Sequence, residues 1–296
     1  MAEQQRAKER RAEFLLLMVV LIWAANYPVA KYGLKELSPL LFNGIRYAIA
    51  AGVVAVMFFS RSTWTPIASA DWLLLLRAGF IANVVYQLAF IIGLSMTSAG
   101  NAAILLSTSP LWTLFLSARM HKEHIHLQMW TGMVISLLGV AMIIFGSGKK
   151  LELGSVDVYG DLITLAAGAL WGLNTNLQKP LLSRLPAVQV TFVMISVGAV
   201  GLGIAAIPAA LTTPWLSLHW TFYLAAIVSG AFAIAVANFF WSTGVKYLGP
   251  GRTANYTNLV PVLAFVISYF ALDEKVFLIH FIGAAVTVFG VWYARH

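Results

Sequence analysis

A chain of 296 residues that is 60% hydrophobic and 10% charged, with a mean hydropathy of +0.83, is too apolar to fold in water. Soluble domains run near ~45–50% apolar and ~25% charged, and the excess here would lie exposed as aggregating surface. The net charge of +8 does not indicate nucleic acid, because the basic residues gather at the ends of apolar runs; with no cysteine, disulfides and thiolate chemistry are excluded.

A membrane-crossing helix needs about 20 mostly apolar residues, and ten such runs are present. They are too long and too continuous for the alternating strands of a barrel, and helices satisfy their own backbone groups in lipid. A basic tail, 1–13, precedes the first run, 14–32, which is longer than a signal-peptide core and has no convincing cleavage site after it. This run carries Trp23, Asn26 and Tyr27 and ends at Lys31. The second, 39–60, contains Arg46 with Asn43. The third, 72–95, places Asn83, Tyr86, Gln87 and Phe90 on one helical face. The fourth, 98–118, bears Asn101, Leu105, Thr108 and Trp112, with Pro110 inside it. The fifth, 127–146, has Gly132, Ser136 and Gly139 at a spacing that permits close helix approach.

The sixth run, 159–178, repeats the third's pattern with Trp171, Asn174, Thr175 and Gln178, and Lys179 follows it. After a seventh run, 187–211, the eighth, 219–243, presents Asn238, Trp241 and Ser242. The ninth, 250–272, carries Asn255, Tyr256, Leu259 and Pro261. The tenth, 275–294, has Gly283, Thr287 and Gly290. Connections are short, and a single integrated membrane domain is expected. With the N-terminus in the cytoplasm, 12 Lys and Arg fall inside and 5 outside, while Arg46 and Arg77 lie within spans. Both termini are therefore predicted cytoplasmic.

The chain repeats itself. Trp23/Trp171, Asn26/Asn174 and Lys31/Lys179 share an offset of 148. Further on the offset becomes 151 and pairs Gln87/Asn238, Pro110/Pro261, Glu123/Glu274, Gly132/Gly283 and Gly139/Gly290. Each half, 14–146 and 159–296, holds five spans. Five is odd, so the second half enters the bilayer upside down. The predicted fold is all-α, ten transmembrane helices in two inverted five-helix repeats. Such repeats typify secondary transporters, which bind substrate near the midplane between them.

The duplicated Trp-x-x-Asn with a Lys five residues on, the Pro in each fourth span, and the Glu before a fifth span with Gly-x6-Gly-Val (Glu123, Gly132, Gly139, Val140; Glu274, Gly283, Gly290, Val291) resemble the EamA-type drug/metabolite transporter family. The likeness covers 14–294. It leans toward bacterial exporters of aromatic and neutral amino acids, which also handle methyl viologen. It implies ten helices, alternating access, and a cavity lined by the first four helices of each half with the fifth peripheral. This chain departs from the commoner form at Ala24 and Ala25, where Gly usually follows the Trp.

Polar side chains deep in a span must face a cavity or another helix. The cavity candidates are Trp23, Asn26, Tyr27, Arg46, Asn83, Tyr86, Gln87, Asn101, Thr108, Trp112, Trp171, Asn174, Thr175, Asn238, Trp241, Asn255 and Tyr256. Interhelical hydrogen bonding competes with substrate contact for each, and is the favoured role of Asn26 and Asn174. Arg46 has two readings, a substrate carboxylate or a structural pairing. Lys31 and Lys179 are snorkelling or gate residues, and Pro110 and Pro261 are matched bend points.

All eleven acids lie in tails, loops or helix ends. Proton coupling normally uses a buried carboxylate, so facilitated transport is expected. The partners are a small amphipathic substrate such as an amino acid, and the bilayer. No cofactor, metal or nucleic acid is expected, and a monomer is favoured. The nearest rival is a carrier of phosphorylated or nucleotide-linked metabolites, which would favour basic residues at the cavity centre. An intramembrane enzyme would need buried acid–base or metal clusters.

Overall fold

The computed structural model describes residues 2–34, 37–61, 64–96, 105–122, 126–146, 157–263, 267 and 278–294. Among the described residues the regular structure is helical throughout, with no strand. Helix α1 (Ala2–Gly33) runs from the basic tail through the first apolar segment, and α2 (Pro39–Arg61) follows with proline at its start, where a missing N–H is harmless. The third segment is α3 (Ser69–Phe80), a π-helical stretch π1 (Ile81–Val85) and α4 (Tyr86–Met96). Next come α5 (Ser109–His121), α6 (Leu127–Gly146), α7 (Asp157–Arg184) and α8 (Ala187–Thr212).

The eighth segment again contains a π-helical stretch: α9 (Trp220–Val228), π2 (Ser229–Val236) and α10 (Ala237–Leu248). Gly249, at φ 81°, makes a left-handed turn into α11 (Pro250–Asn255), a conformation that other residues adopt at a cost. A 3₁₀ turn, Tyr256–Asn258, then interrupts the ninth segment before helix resumes over 259–263. The last helix is α12 (Leu278–Tyr293).

Helix occupies the described part of every predicted run apart from the turn at 107–108 and the end residues 219 and 294. Four stretches are long and apolar enough to cross a membrane: Pro39–Ser60, Ser69–Gly93, Ala187–Thr212 and Trp220–Leu248. Leu127–Met142 and Leu278–Tyr293 are shorter apolar helices.

The chain forms two compact units, and each draws on both sequence halves. The first comprises Met1–Leu88 and Leu177–Tyr247. In it α2 lies along α8; α3 and π1 pack on α8, while α9 and π2 pack on α2. The third segment of each half thus rests on the second segment of the other. Two apolar clusters fill the gaps, one built on Tyr47, Val54, Ile195 and Leu202, the other on Phe42, Ala206 and Phe222. Burial of this kind contributes little in lipid, where tails are as apolar as leucine; close packing and hydrogen bonds must hold the helices together.

The second unit comprises Ala89–Asn176 and Leu248–His296. Its main contact joins α6 to α12 through small residues. A Cβ on Gly132 would fall 2.7 Å from the Gly290 carbonyl, one on Gly290 would fall 2.7 Å from the Gly132 carbonyl, and one on Gly139 would fall 2.6 Å from the Gly283 carbonyl. The Gly132-x-x-x-Ser136 and Gly283-x-x-x-Thr287 spacings therefore meet each other within one chain. Thr287 Oγ1 donates to the Ser136 carbonyl at 3.5 Å, at the long end of the hydrogen-bonding range, and to its own Gly283 carbonyl at 2.8 Å. Asn258 Nδ2 donates to Ser136 Oγ at 2.5 Å.

Candidate substrate-binding residues

In the first unit, the second and third segments meet through a buried polar knot. The Tyr47 hydroxyl donates to Asn83 Oδ1 at 3.0 Å and accepts from Gln87 Nε2 at 3.1 Å. Asn83 Nδ2 donates to the Met194 carbonyl on α8 at 2.9 Å. Both polar atoms of Asn83 are thus engaged in joining helices. Gly198 makes room for the knot: its Cβ would lie 2.5 Å from Asn83 Cβ and 2.8 Å from the Tyr47 ring. Tyr47 was not among the residues predicted from sequence. A tyrosine in a span reads as an interface residue, and only its position one turn after Asn43 marked it out.

The matching region of the second half, around π2, is bonded from α1. The Trp23 indole donates to the Ala233 carbonyl at 3.0 Å, and Asn238 Nδ2 donates to the Ile234 carbonyl at 2.7 Å. Side-chain donors thus meet carbonyls within the widened π turn, one of the ways irregular backbone is tolerated in a bilayer. Asn26 Oδ1 accepts from Ser229 Oγ at 2.5 Å. The rings of Trp23 and the fully buried Trp241 lie 5.5 Å apart, tilted by 37°. Beside them Ser242 Oγ donates to Gln178 Oε1 at 2.9 Å and accepts from Thr191 Oγ1 at 3.1 Å.

Arg46 stands apart from these closed networks. Its Nη1 donates to Asn43 Oδ1 at 2.8 Å, one turn earlier on α2, and its guanidinium lies 5.4 Å from the Phe42 ring centre. Among the described residues its buried Nε has no hydrogen-bond partner. Elsewhere in this unit Arg184 Nη2 meets Asp71 Oδ1 at 2.7 Å, an ion pair at the ends of α7 and α3. Lys179 is half-buried on α7, and Tyr86 and Gln87 are half-buried on α4.

In the second unit, Asn174 and Thr175 are buried on α7, and Thr175 Oγ1 donates to the Trp171 carbonyl at 2.9 Å. Asn176, another residue that sequence reading passed over, joins helices: its Nδ2 donates to the carbonyls of Thr113 at 3.0 Å and Gly172 at 2.9 Å. Asn255 Nδ2 donates to the Val291 carbonyl at 3.0 Å, while its Oδ1 is buried without a partner. Tyr256 is buried in the 3₁₀ turn, Trp112 is half-buried on α5, and Thr108 Oγ1 donates to the Leu105 carbonyl at 2.5 Å. Pro110 occupies the first turn of α5, directly after a turn at 107–108. Pro261 likewise sits just past the 3₁₀ turn of the ninth segment. Each proline therefore follows an interruption instead of kinking a continuous helix. Asn101 and the side chains of Tyr27 and Lys31 lie outside the described residues.

The irregular turns follow the repeat. Adding 151 to 81–85 gives 232–236, inside π2, and adding it to 107–108 gives 258–259, where the ninth segment restarts as helix. Sequence reading missed the π pair, because no glycine or proline lies inside π1 and only Gly230 lies inside π2; the second pair lies just before Pro110 and Pro261, which the sequence offered as matched bend points. π-Helical turns concentrate at functional sites.

Apolar helices carrying buried amides and repeated irregular turns define an integral membrane protein of the transporter class. The chain belongs to the EamA-like transporter family, whose pattern matches residues 10–145 and again 158–295. It is 26% identical to a probable amino-acid metabolite efflux pump of Escherichia coli K12, over 96% of this chain and 94% of that protein. It is 27% identical to an uncharacterized transporter of Archaeoglobus fulgidus, over 95% and 96% of the two chains. The Bacillus subtilis transporter YdfC, also uncharacterized, is 28% identical over 93% of this chain and 87% of its own length. A solved crystal structure shares the fold at a TM-score of 0.81 and 18% identity, covering 96% of this chain and 98% of the other.

Proposed function

We propose that the chain exports aromatic and neutral amino acids, and similar small amphipathic metabolites, across the bacterial inner membrane by alternating access. In this reading ten helices cross the bilayer in two inverted halves, 14–146 and 159–296, with both termini in the cytoplasm. The observation that carries it is the pairing of helix irregularities at one repeat offset, in the third and eighth segments and again in the fourth and ninth. Discontinuous helices at matched places in two halves are where transporters of this kind bind substrate. The family match over both halves and the amino-acid metabolite efflux pump among the relatives support the substrate class.

Indole and phenol faces suit apolar or cationic parts of a ligand, and amides suit its polar ends. No carboxylate lies in the middle of a segment, so transport runs down the substrate gradient. The test is uptake of labelled phenylalanine by proteoliposomes, with unlabelled amino acids and sugar phosphates as competitors. Aromatic and neutral amino acids compete if the reading holds. Competition by sugar phosphates alone transfers the chain to the phosphorylated-metabolite class.

A further inference from the structure

The geometry assigns Arg46 as the anchor for the substrate's carboxylate, which makes the chain selective for carboxylate-bearing solutes over amines of the same shape. The inference rests on the amino-acid reading above.

Arg46 lies within the apolar segment Pro39–Ser60, seven residues in from its start, or about 10 Å along the helix axis. Arginine keeps its charge in any protein environment, so the guanidinium needs an oxyanion or strong acceptors. Asn43 Oδ1 takes one Nη1 hydrogen, the Phe42 ring lies near the group, and among the described residues nothing accepts the hydrogen of the buried Nε. The Tyr47 hydroxyl, next in sequence, is committed to Asn83 and Gln87.

Among the described residues, the elements packed against α2 bring no carboxylate near Arg46: α1 meets α2 at Gly33 against Phe42 and holds its acids, Glu3, Glu9 and Glu13, about 30 Å or more from that contact along the helix, and π1, which meets Tyr47 through Asn83, has none. Neither α8 nor the run from α9 through π2 to α10 contains an Asp or Glu; their titratable side chains are Tyr223, Lys246 and Tyr247. Gly230 of π2 lies directly against the Arg46 backbone, where its Cβ would fall 2.7 Å from the carbonyl oxygen. Beside it Ser229 and Asn26 are bonded to each other. Arg46, with no carboxylate beside it among the described residues, therefore adjoins one of the two repeated π turns. It is also unique to the first half: the offsets of 148 and 151 lead from Arg46 to Met194 and Val197.

A planar guanidinium with free N–H groups pairs with a planar carboxylate more strongly than a neutral donor does. A lipid phosphate offers the same oxyanion chemistry, and snorkelling toward headgroups is the bland alternative. Both are separated from the proposal by following ligand binding through intrinsic tryptophan fluorescence, with phenylalanine, 3-phenylpropionate (no amine) and phenethylamine (no carboxylate) as probes. Wild type, R46K and R46Q are compared in vesicles of phosphatidylcholine alone and with phosphatidylglycerol added.

The expected result is that wild type binds phenylalanine and 3-phenylpropionate and not phenethylamine. R46Q weakens both carboxylates by about tenfold to a hundredfold, and R46K recovers part of the loss, in either lipid. Unchanged carboxylate affinity in R46Q, provided that it elutes as a single species, overturns the proposal. So does an effect that exists only with phosphatidylglycerol, since Arg46 then serves the lipid. If wild type binds 3-phenylpropionate through Arg46 and ignores phenylalanine, the anchor stands and the amino-acid reading falls. If phenylalanine binds equally to wild type and R46Q, the reverse holds.

Discussion

The seam between α6 and α12 and the polar face of α2 obey opposite rules. In the seam the closest glycine contacts have repeat counterparts. Gly132 against Gly290 maps, under the offset of 151, onto Gly283 against Gly139. On α2 the polar groups lack counterparts: under the offsets of 148 and 151 Arg46 leads to Met194 or Val197 and Tyr47 to Ile195 or Gly198 in the second half. Duplicated contacts are those in which two like surfaces pack together. A solute has no such symmetry, so a group that recognises it has no reason to be doubled.

The sharpest way to break this contrast is to fill the seam. Gly290→Val puts a branched side chain where even a Cβ stands 2.7 Å from the Gly132 carbonyl, and backbone on both sides cannot yield. We expect a loss of about 3 kcal/mol or more, seen as loss of monodisperse protein on size exclusion. Gly203→Ala is the control: nothing lies within 4 Å of its Cβ, and it should leave stability unchanged or raise it by up to about 1 kcal/mol. Equal behaviour of the two variants would mean that the seam is not tight.

A smaller effect is expected at the Tyr47 knot. Asn83→Leu removes the acceptor of the Tyr47 hydroxyl and the donor to the Met194 carbonyl, at a cost of about 1–2 kcal/mol, read as earlier thermal unfolding in detergent by circular dichroism. Unfolding at the wild-type temperature would show that Asn83 is free to serve a ligand instead.

The smallest effect belongs to Pro110. At the first turn of α5 it withholds an N–H that the helix does not use. Pro110→Ala should leave the transport rate within about twofold of wild type, with stability changed by less than about 1 kcal/mol. A large loss of rate would restore proline as the bending element and demote the turn before it.

Much of this architecture is legible in the sequence, and the reasons are physical. Lipid forces the backbone into helices, so long apolar runs such as 39–60 and 187–211 reappear as α2 and α8 with their bounds shifted by about a residue. Close approach demands glycine, so Gly132, Gly139, Gly283 and Gly290 announced their seam. The π turns were not legible. Ile81–Val85 reads Ile-Ala-Asn-Val-Val, a composition that suits an α-helix equally well, and in π2 the donor that meets the Ala233 carbonyl is an indole 210 residues away in sequence. Nor did spacing along the chain reveal that α2 pairs with α8, since short connections suggest that neighbours in sequence pack together. Of the residues chosen for their polarity, Trp23, Asn26 and Asn83 are bonded to other segments, whereas among the described residues Arg46 Nε and Asn255 Oδ1 are buried without a partner, and of these two only Arg46 carries a charge.

The inversion of the two halves is the claim on which alternating access stands, and sided labelling tests it most directly. Native cysteine is absent, so single introduced cysteines report alone. Arg61 ends α2 and Thr212 ends α8, and the two are repeat counterparts at an offset of 151. In intact cells treated with an impermeant thiol reagent, Arg61→Cys should stay unlabelled until the membrane is opened, and Thr212→Cys should react at once. Labelling of both from the same side would contradict the inverted arrangement, and with it the proposed mechanism.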